Sequence, residues 1–215
     1  MMKKIGIIAA ALTVALTTVP VQAKVTADEA AKLGTELTPL GGEKAGNADG
    51  SIPAWTGGIT SAPAGYSAGD FHPDPYAGEK PEFVITAANY QQYADQLSEG
   101  LKKMFETYPD TFKLPVYKTH RSASNPQFVY DATKENATRA TLLDDGNGMA
   151  GAAVGIPFPI PADGLEAIWN HIARYRGPAV QRNGGQAAVT ASGDYNVIGF
   201  DEQLLIQYSQ ANATP

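Results

Sequence analysis

Residues 39–81 limit what this chain can fold into more than any other stretch, because glycine, proline and short polar residues punctuate them throughout. Gly41-Gly42, Asn47-Ala48-Asp49-Gly50, Gly57-Gly58 and Pro73-Asp74-Pro75 each mark a turn. Proline interrupts a helix and cannot donate to a sheet ladder, so neither a long helix nor a central strand fits here. Unstructured loops of this length are uncommon inside a compact domain unless they bind something or wrap the body. Ile52, Trp55, Ile59, Tyr66, Phe71 and Tyr76 supply apolar groups along the stretch. The expectation is an ordered arm, pinned to the body by aromatic side chains.

The flanking segments carry ordinary periodicity. Thr26-Ala27-Asp28-Glu29 is a capping box and predicts a short helix through Lys32, ended by Gly34. Tyr90, Tyr93, Leu97, Leu101, Met104, Phe105 and Tyr108 recur at three- and four-residue steps. That predicts one amphipathic helix from Thr86 to the stop at Pro109. Such a stripe serves core packing far more often than ligand binding. Residues 114–121, 127–131 and 138–143 read as strands, and Gly146-Asn147-Gly148 as a turn. The apolar run 151–161 contains Pro157, Pro159 and Pro161, so it lies extended, with Ile156, Phe158 and Ile160 on one side. Asp163 and Glu166 predict a second capping box, opening a helix over 163–176. Leu165, Ile168, Trp169, Ile172 and Tyr175 form its apolar face, with Trp169 and Ile172 expected to pack on a sheet. Strands at 179–182, 187–190 and 195–208 follow, with turns at 183–185 and 192–194. The fold class is therefore α+β.

The amino terminus carries an address. Lys3 and Lys4 precede an uncharged apolar run over 5–16, Pro20 breaks it, and Val21-Gln22-Ala23 ends in the pattern that signal peptidase cleaves. The run is shorter than the ~20 apolar residues that cross a bilayer. The expectation is export by the Sec route, cleavage after Ala23, and a periplasmic protein. Removing 23 of 215 residues leaves 192, a suitable length for one domain over 24–215. Losing the two leader lysines leaves 14 basic against 22 acidic residues, a net charge of −8. Such a surface repels phosphates, so nucleic acid is excluded as a partner. The absence of cysteine removes disulfides, thiolate nucleophiles, cysteine-held zinc and a cysteine-borne lipid anchor. No later apolar run is long enough to span a membrane.

Little of the sequence points to catalysis. Asp70-Phe71-His72-Pro73-Asp74 groups three metal-binding residue types, but the spacing fits a polar turn better than a metal site. His171, Arg174 and Arg176 could hold an anionic head group, although cations late in a helix are expected for dipole reasons alone. No Gly-x-Ser-x-Gly elbow occurs. The glycines over 146–151 lack the following helix that a dinucleotide loop needs. No metal, cofactor or catalytic residue is assigned, and the chain reads as a non-enzyme. The candidate ligand-binding set is Ile156, Phe158, Ile160, Trp169, His171, Ile172, Arg174 and Tyr175.

Several blocks together resemble a known family. They are residues 37–58 (LTPLGGEKAGNADGSIPAWTGG), His72-Pro-Asp-Pro75, Val129-Tyr-Asp-Ala-Thr133, Gly155-Ile-Pro-Phe-Pro-Ile-Pro161 and Trp169-Asn-His171. The chain resembles a family of exported proteobacterial proteins with a domain of unknown function, often labelled outer membrane lipoprotein-sorting protein. The resemblance implies a fold like the lipoprotein carriers LolA and LolB: an incomplete antiparallel β-barrel whose helices lid an apolar cavity. It implies a carrier or binder of lipid-like molecules, with an outer-membrane β-barrel protein or an inner-membrane exporter as partner. Family members run longer, so the resemblance also implies that this chain is the N-terminal part of one such domain, truncated at its C-terminus. Two further classes stay open: a periplasmic hydrolase of hydrophobic esters or envelope polymers, and a non-catalytic accessory that docks an outer-membrane barrel.

Overall fold

A computed structural model describes residues 25–67 and 69–215, so the expected export signal lies outside the described residues. The chain is α+β, and its described residues form three separate two-stranded antiparallel sheets, none of them closed into a barrel. Helix α1 is Ala27–Ala31, and both halves of its capping box form: Glu29 N–H donates to the Thr26 hydroxyl, and Thr26 N–H to the Glu29 carboxylate. Its last helical residue precedes Gly34 by three, and Gly34 takes a positive φ two residues beyond the cap Lys32.

Among its described residues the arm over 39–81 contains no helix and no strand, as its punctuation demands. It is tied to the segment 120–125 by named bonds. The Arg121 guanidinium donates to the carbonyls of Glu43 (2.6 Å), Lys44 (3.2 Å), Ala45 (3.2 Å) and Pro53 (3.4 Å). Trp55 Nε1 donates to the Ala123 carbonyl at 3.0 Å, and Ile59 N–H to the Ser122 carbonyl at 2.8 Å. Gly58 lets the two backbones meet, since a Cβ there would sit 2.4 Å from the Ala123 carbonyl oxygen. The expected aromatic pinning holds for Trp55 and fails for Phe71, which is 95% exposed.

The single helix expected from Thr86 is broken. Strand β1 (Phe83–Thr86) comes first, then a 3-10 turn over Tyr90–Gln96, then helix α2 (Glu99–Thr107). Asn89 causes the first break: its Oδ1 accepts from Thr86 N–H at 2.7 Å and its Nδ2 donates to the Val84 carbonyl at 3.1 Å. Ser98 causes the second, capping α2 with its hydroxyl. Most of the stripe still points inward, but Met104 and Tyr108 are exposed. Tyr90, Tyr93, Leu97, Leu101 and Phe105 share one cluster with Ile85, Phe112, Leu114 and Val116. Strand β2 (Lys113–Val116) pairs with β1 and is shorter than the expected 114–121.

Residues 127–131 are helical, contrary to the strand expected there. They open helix α3 (Gln127–Arg139), which also takes Thr138 and Arg139 from the expected 138–143 strand. The remainder forms β3 (Thr141–Leu143), paired with β4 (Gly148–Ala150). The buried face of α3 is Val129, Thr133, Asn136 and Ala137, so half of it is polar. That polarity is used. Thr133 and Asn136 bind the backbone of 153–156, where Gly155 is indispensable because a Cβ would meet Thr133 Oγ1 at 2.2 Å. Val154 is held there at φ 67, a strained backbone for a β-branched residue.

Helix α4 is Gly164–Ala173, shorter than the expected 163–176. Asp163 caps it, but Glu166 reaches back to Ala162 N–H (2.6 Å) and not to the cap residue. No residue of α4 is buried, so the expected packing of its Trp169 and Ile172 face onto a sheet does not occur. The chain ends in a long hairpin, β5 (Ala179–Val189) with β6 (Tyr195–Leu205). The turn expected at 183–185 is absent: Asn183, Gly184 and Gly185 pair with Asp201, Phe200 and Gly199 inside the ladder. The Phe200 ring lies over Gly184, where a Cβ would come within 2.8 Å of it. This is how aromatic groups compensate strand glycines.

Candidate functional site

The expected ligand set converges on one cavity in part. Residues 156–162 form neither helix nor strand and bend at Pro157, Pro159, Ile160 and Ala162, and α4 follows at once. Between them lies a cavity of about 270 Å³ whose walls include Val25, Ala137, Leu142, Phe158 and Ile160. Phe158 is buried, and its backbone is clamped by Asn170 on α4: Phe158 N–H donates to Oδ1 at 2.8 Å, and Nδ2 donates to the Phe158 carbonyl at 2.6 Å. Asp163 and Glu166 also line this space, but both carboxylates accept backbone N–H bonds as helix caps. Thr141 supplies a hydroxyl with no histidine among the lining residues. The walls thus combine apolar contact from Val25, Ala137, Leu142, Phe158 and Ile160 with the polar Thr141, Asp163 and Glu166.

Beyond this cavity, α4 turns aliphatic groups to solvent. Leu165 is 48% exposed, Ile168 51% and Ile172 52%. Trp169 is half-buried and fixed by its indole N–H, which donates to the Gly146 carbonyl at 2.9 Å. Most of the β5–β6 hairpin is exposed too, including Val189, Tyr195, Val197, Ile198 and Leu205.

A family model described as Protein of unknown function (DUF1329) matches residues 84–215. The chain belongs to the DUF1329 family. It is 50% identical over 204 residues to the uncharacterized protein PA3922 of Pseudomonas aeruginosa, an alignment covering 95% of this chain and 45% of that protein. The chain thus spans about half the length of the curated relative it matches. No solved structure matches it.

Within this DUF1329 chain the eight expected ligand residues separate. Phe158 and Ile160 line the cavity beside α4; Ile156 is half-buried and does not, its backbone instead serving Thr133 and Asn136. Trp169 and Ile172 lie on α4, outside the cavity lining. Tyr175 packs against Val129, Ala153 and Val154 and meets Phe128 edge-on at 5.7 Å. His171 and Arg174 are exposed, and Arg174 donates to the His171 carbonyl at 2.7 Å. Among the described residues no cluster of metal-binding side chains forms, and Asp70, His72 and Asp74 are not drawn into one.

The sequence reading missed a second cavity, where the arm meets the body. Leu40, Trp55, Arg121 and Tyr130 stand around it. Residues so far apart in the chain leave no spacing signal, and the one clue was the aromatic content of the arm.

Proposed function

We propose that the protein is a non-catalytic binding protein for hydrophobic, lipid-like molecules, working in the periplasm after Sec export and carrying its ligand in outer-membrane traffic. One observation carries this reading: Leu165, Ile168 and Ile172 leave an aliphatic stripe of α4 uncovered beside a cavity walled in part by Phe158 and Ile160. Contiguous exposed apolar surface marks a binding site for a partner or a hydrophobic ligand. The LolA/LolB-like arrangement belongs to the same proposal. In it the β5–β6 hairpin is part of a larger curved sheet and α4 lies across its open side. The exposed hairpin also favours a second reading, a docking accessory for an outer-membrane β-barrel or an inner-membrane exporter, since unpaired strand edges are templates for association.

Titration with N-phenyl-1-naphthylamine, a dye that brightens in apolar surroundings, tests the binding reading. The protein should brighten it, and the double variant Ile168→Asp/Ile172→Asp should weaken the dye about tenfold, equivalent to ~1.4 kcal/mol. Its thermal midpoint should stay near the parent's, because both side chains are already half exposed. A parent that leaves the dye dark, or a double variant that binds it equally well, defeats the reading. Native mass spectrometry of protein from the periplasm then separates carrier from accessory: co-purified lipid supports the first and a lipid-free complex with a membrane protein the second.

A further inference from the structure

We propose that the cavity at the junction of arm and body is a second binding site, specific for anionic amphiphiles that bear a carboxylate or phosphate head on an apolar chain. The cavity measures about 320 Å³, within the range of small-molecule sites, and its lining includes Pro39, Leu40, Trp55, His120, Arg121 and Tyr130. Trp55 and Tyr130 meet edge-to-face at 6.5 Å and provide an apolar wall. The same two side chains, with Pro39, also line an adjoining space of about 380 Å³ that holds Gln127, Asp131 and Lys134, so the aromatic pair divides an acid-free hollow from a charged one.

Charge selects the head group. The chain carries 22 acidic residues, yet none lines this cavity, whereas acidic side chains line the spaces beside α4, beside Tyr76 and on the far side of Trp55. Arg121 contributes a fixed positive charge. Its bonds go to backbone carbonyls, and no carboxylate among the described residues pairs with it. Those carbonyls hold the guanidinium rigid, so its field is in place before a ligand arrives, which lowers the cost of binding. Tyr130 adds a directed donor. Its oxygen accepts from Asn125 N–H at 2.6 Å, and its own proton meets no acceptor among the described residues. A cationic group and an oriented hydroxyl within an aromatic, largely apolar cavity suit a charged head joined to an apolar chain. They suit a free inorganic anion poorly, because it would leave the aromatic wall unused.

The two tryptophans, Trp55 here and Trp169 on α4, report separately on the two sites. With ¹⁵N-labelled protein and indole signals assigned by Trp169→Phe, decanoate below its micelle concentration should shift the Trp55 signal. Decanol and inorganic phosphate should leave it in place at equal concentration. Leu40→Glu, which sets a carboxylate in the wall, should weaken decanoate at least tenfold, while the neutral Leu40→Gln should stay within about threefold of the parent. A Trp55 shift by decanol equal to that by decanoate, or a shift by phosphate alone, overturns the proposal. So does equal weakening by both Leu40 variants, or a decanoate response confined to Trp169. That last result would leave the α4 reading standing, so the two proposals fail independently.

Discussion

Asn136→Ala tests the polar hub that holds the 153–156 segment against α3. Asn136 is fully buried. Its Nδ2 donates to the carbonyls of Ala153 (3.0 Å) and Ile156 (3.2 Å), and its Oδ1 accepts from Ala153 N–H (3.2 Å) and Arg139 Nη2 (3.1 Å). Alanine removes all four and strands two carbonyls and an N–H of the 153–156 segment away from water. A net loss of ~1 kcal/mol for each of the three bonds to that segment gives ~3 kcal/mol. The space left behind adds about 1 kcal/mol. A destabilisation of ~3–5 kcal/mol follows, a large share of the 5–15 kcal/mol typical of a folded domain. Thr133→Val keeps the shape but removes the acceptor for Ile156 N–H (3.1 Å), and should cost ~1–2 kcal/mol. Because both side chains hold the same segment, and with it the strained Val154, the double variant should lose less than the two single losses combined. Urea unfolding followed by circular dichroism gives these values from midpoint and slope. A loss under ~1 kcal/mol for Asn136→Ala, or strict additivity with Thr133→Val, would refute the claim that these two polar groups jointly fix the segment.

Trp169→Ala should cost only ~1–2 kcal/mol, well below the ~3–5 kcal/mol of a fully buried aromatic, because the ring is half-buried and makes one indole bond to Gly146. A larger drop in the thermal midpoint than that corresponds to would show that α4 is covered in solution. Tyr208 supplies a pH prediction. Burial pushes its phenol above the ordinary value of 10.0, against an opposing pull from Arg139, and its hydroxyl donates to the Gly155 carbonyl at 2.7 Å. The unfolded chain therefore releases this proton first as pH rises. The contribution is intact below pH 10.0 and declines above it, as the pH climbs towards the higher folded value. Urea midpoints at pH 8 and pH 11 should converge between parent and Tyr208→Phe; a constant gap across that range would contradict the burial argument.

Local chemistry was legible wherever a few neighbouring residues settle the outcome. The Thr26–Glu29 box, the Asp163 cap, the turn at 192–194 and the absence of regular structure over 39–81 all follow from side chains acting within a few positions. The inward stripe from Tyr90 to Phe105 was legible as well, but its continuity was not, because Asn89 and Ser98 bond backbone groups that a helix would otherwise use. Helix α3 was hidden for a related reason. Its core face carries Thr133 and Asn136, so no apolar stripe marks it, and their polarity is acceptable only because a segment some twenty residues later supplies the partners. Gly184 and Gly185 read as a turn until a strand bearing Phe200 lies beside them. Phe158 and Ile160 were recognised as apolar, yet the contacts of α3 decide that a cavity opens next to them. The sequence by itself determined the caps, the breaks and the arm, because those energies are local. The tertiary structure decided which polar residues could be buried, where the cavities lie and which apolar faces stay open, because each depends on partners that only folding brings within bonding distance.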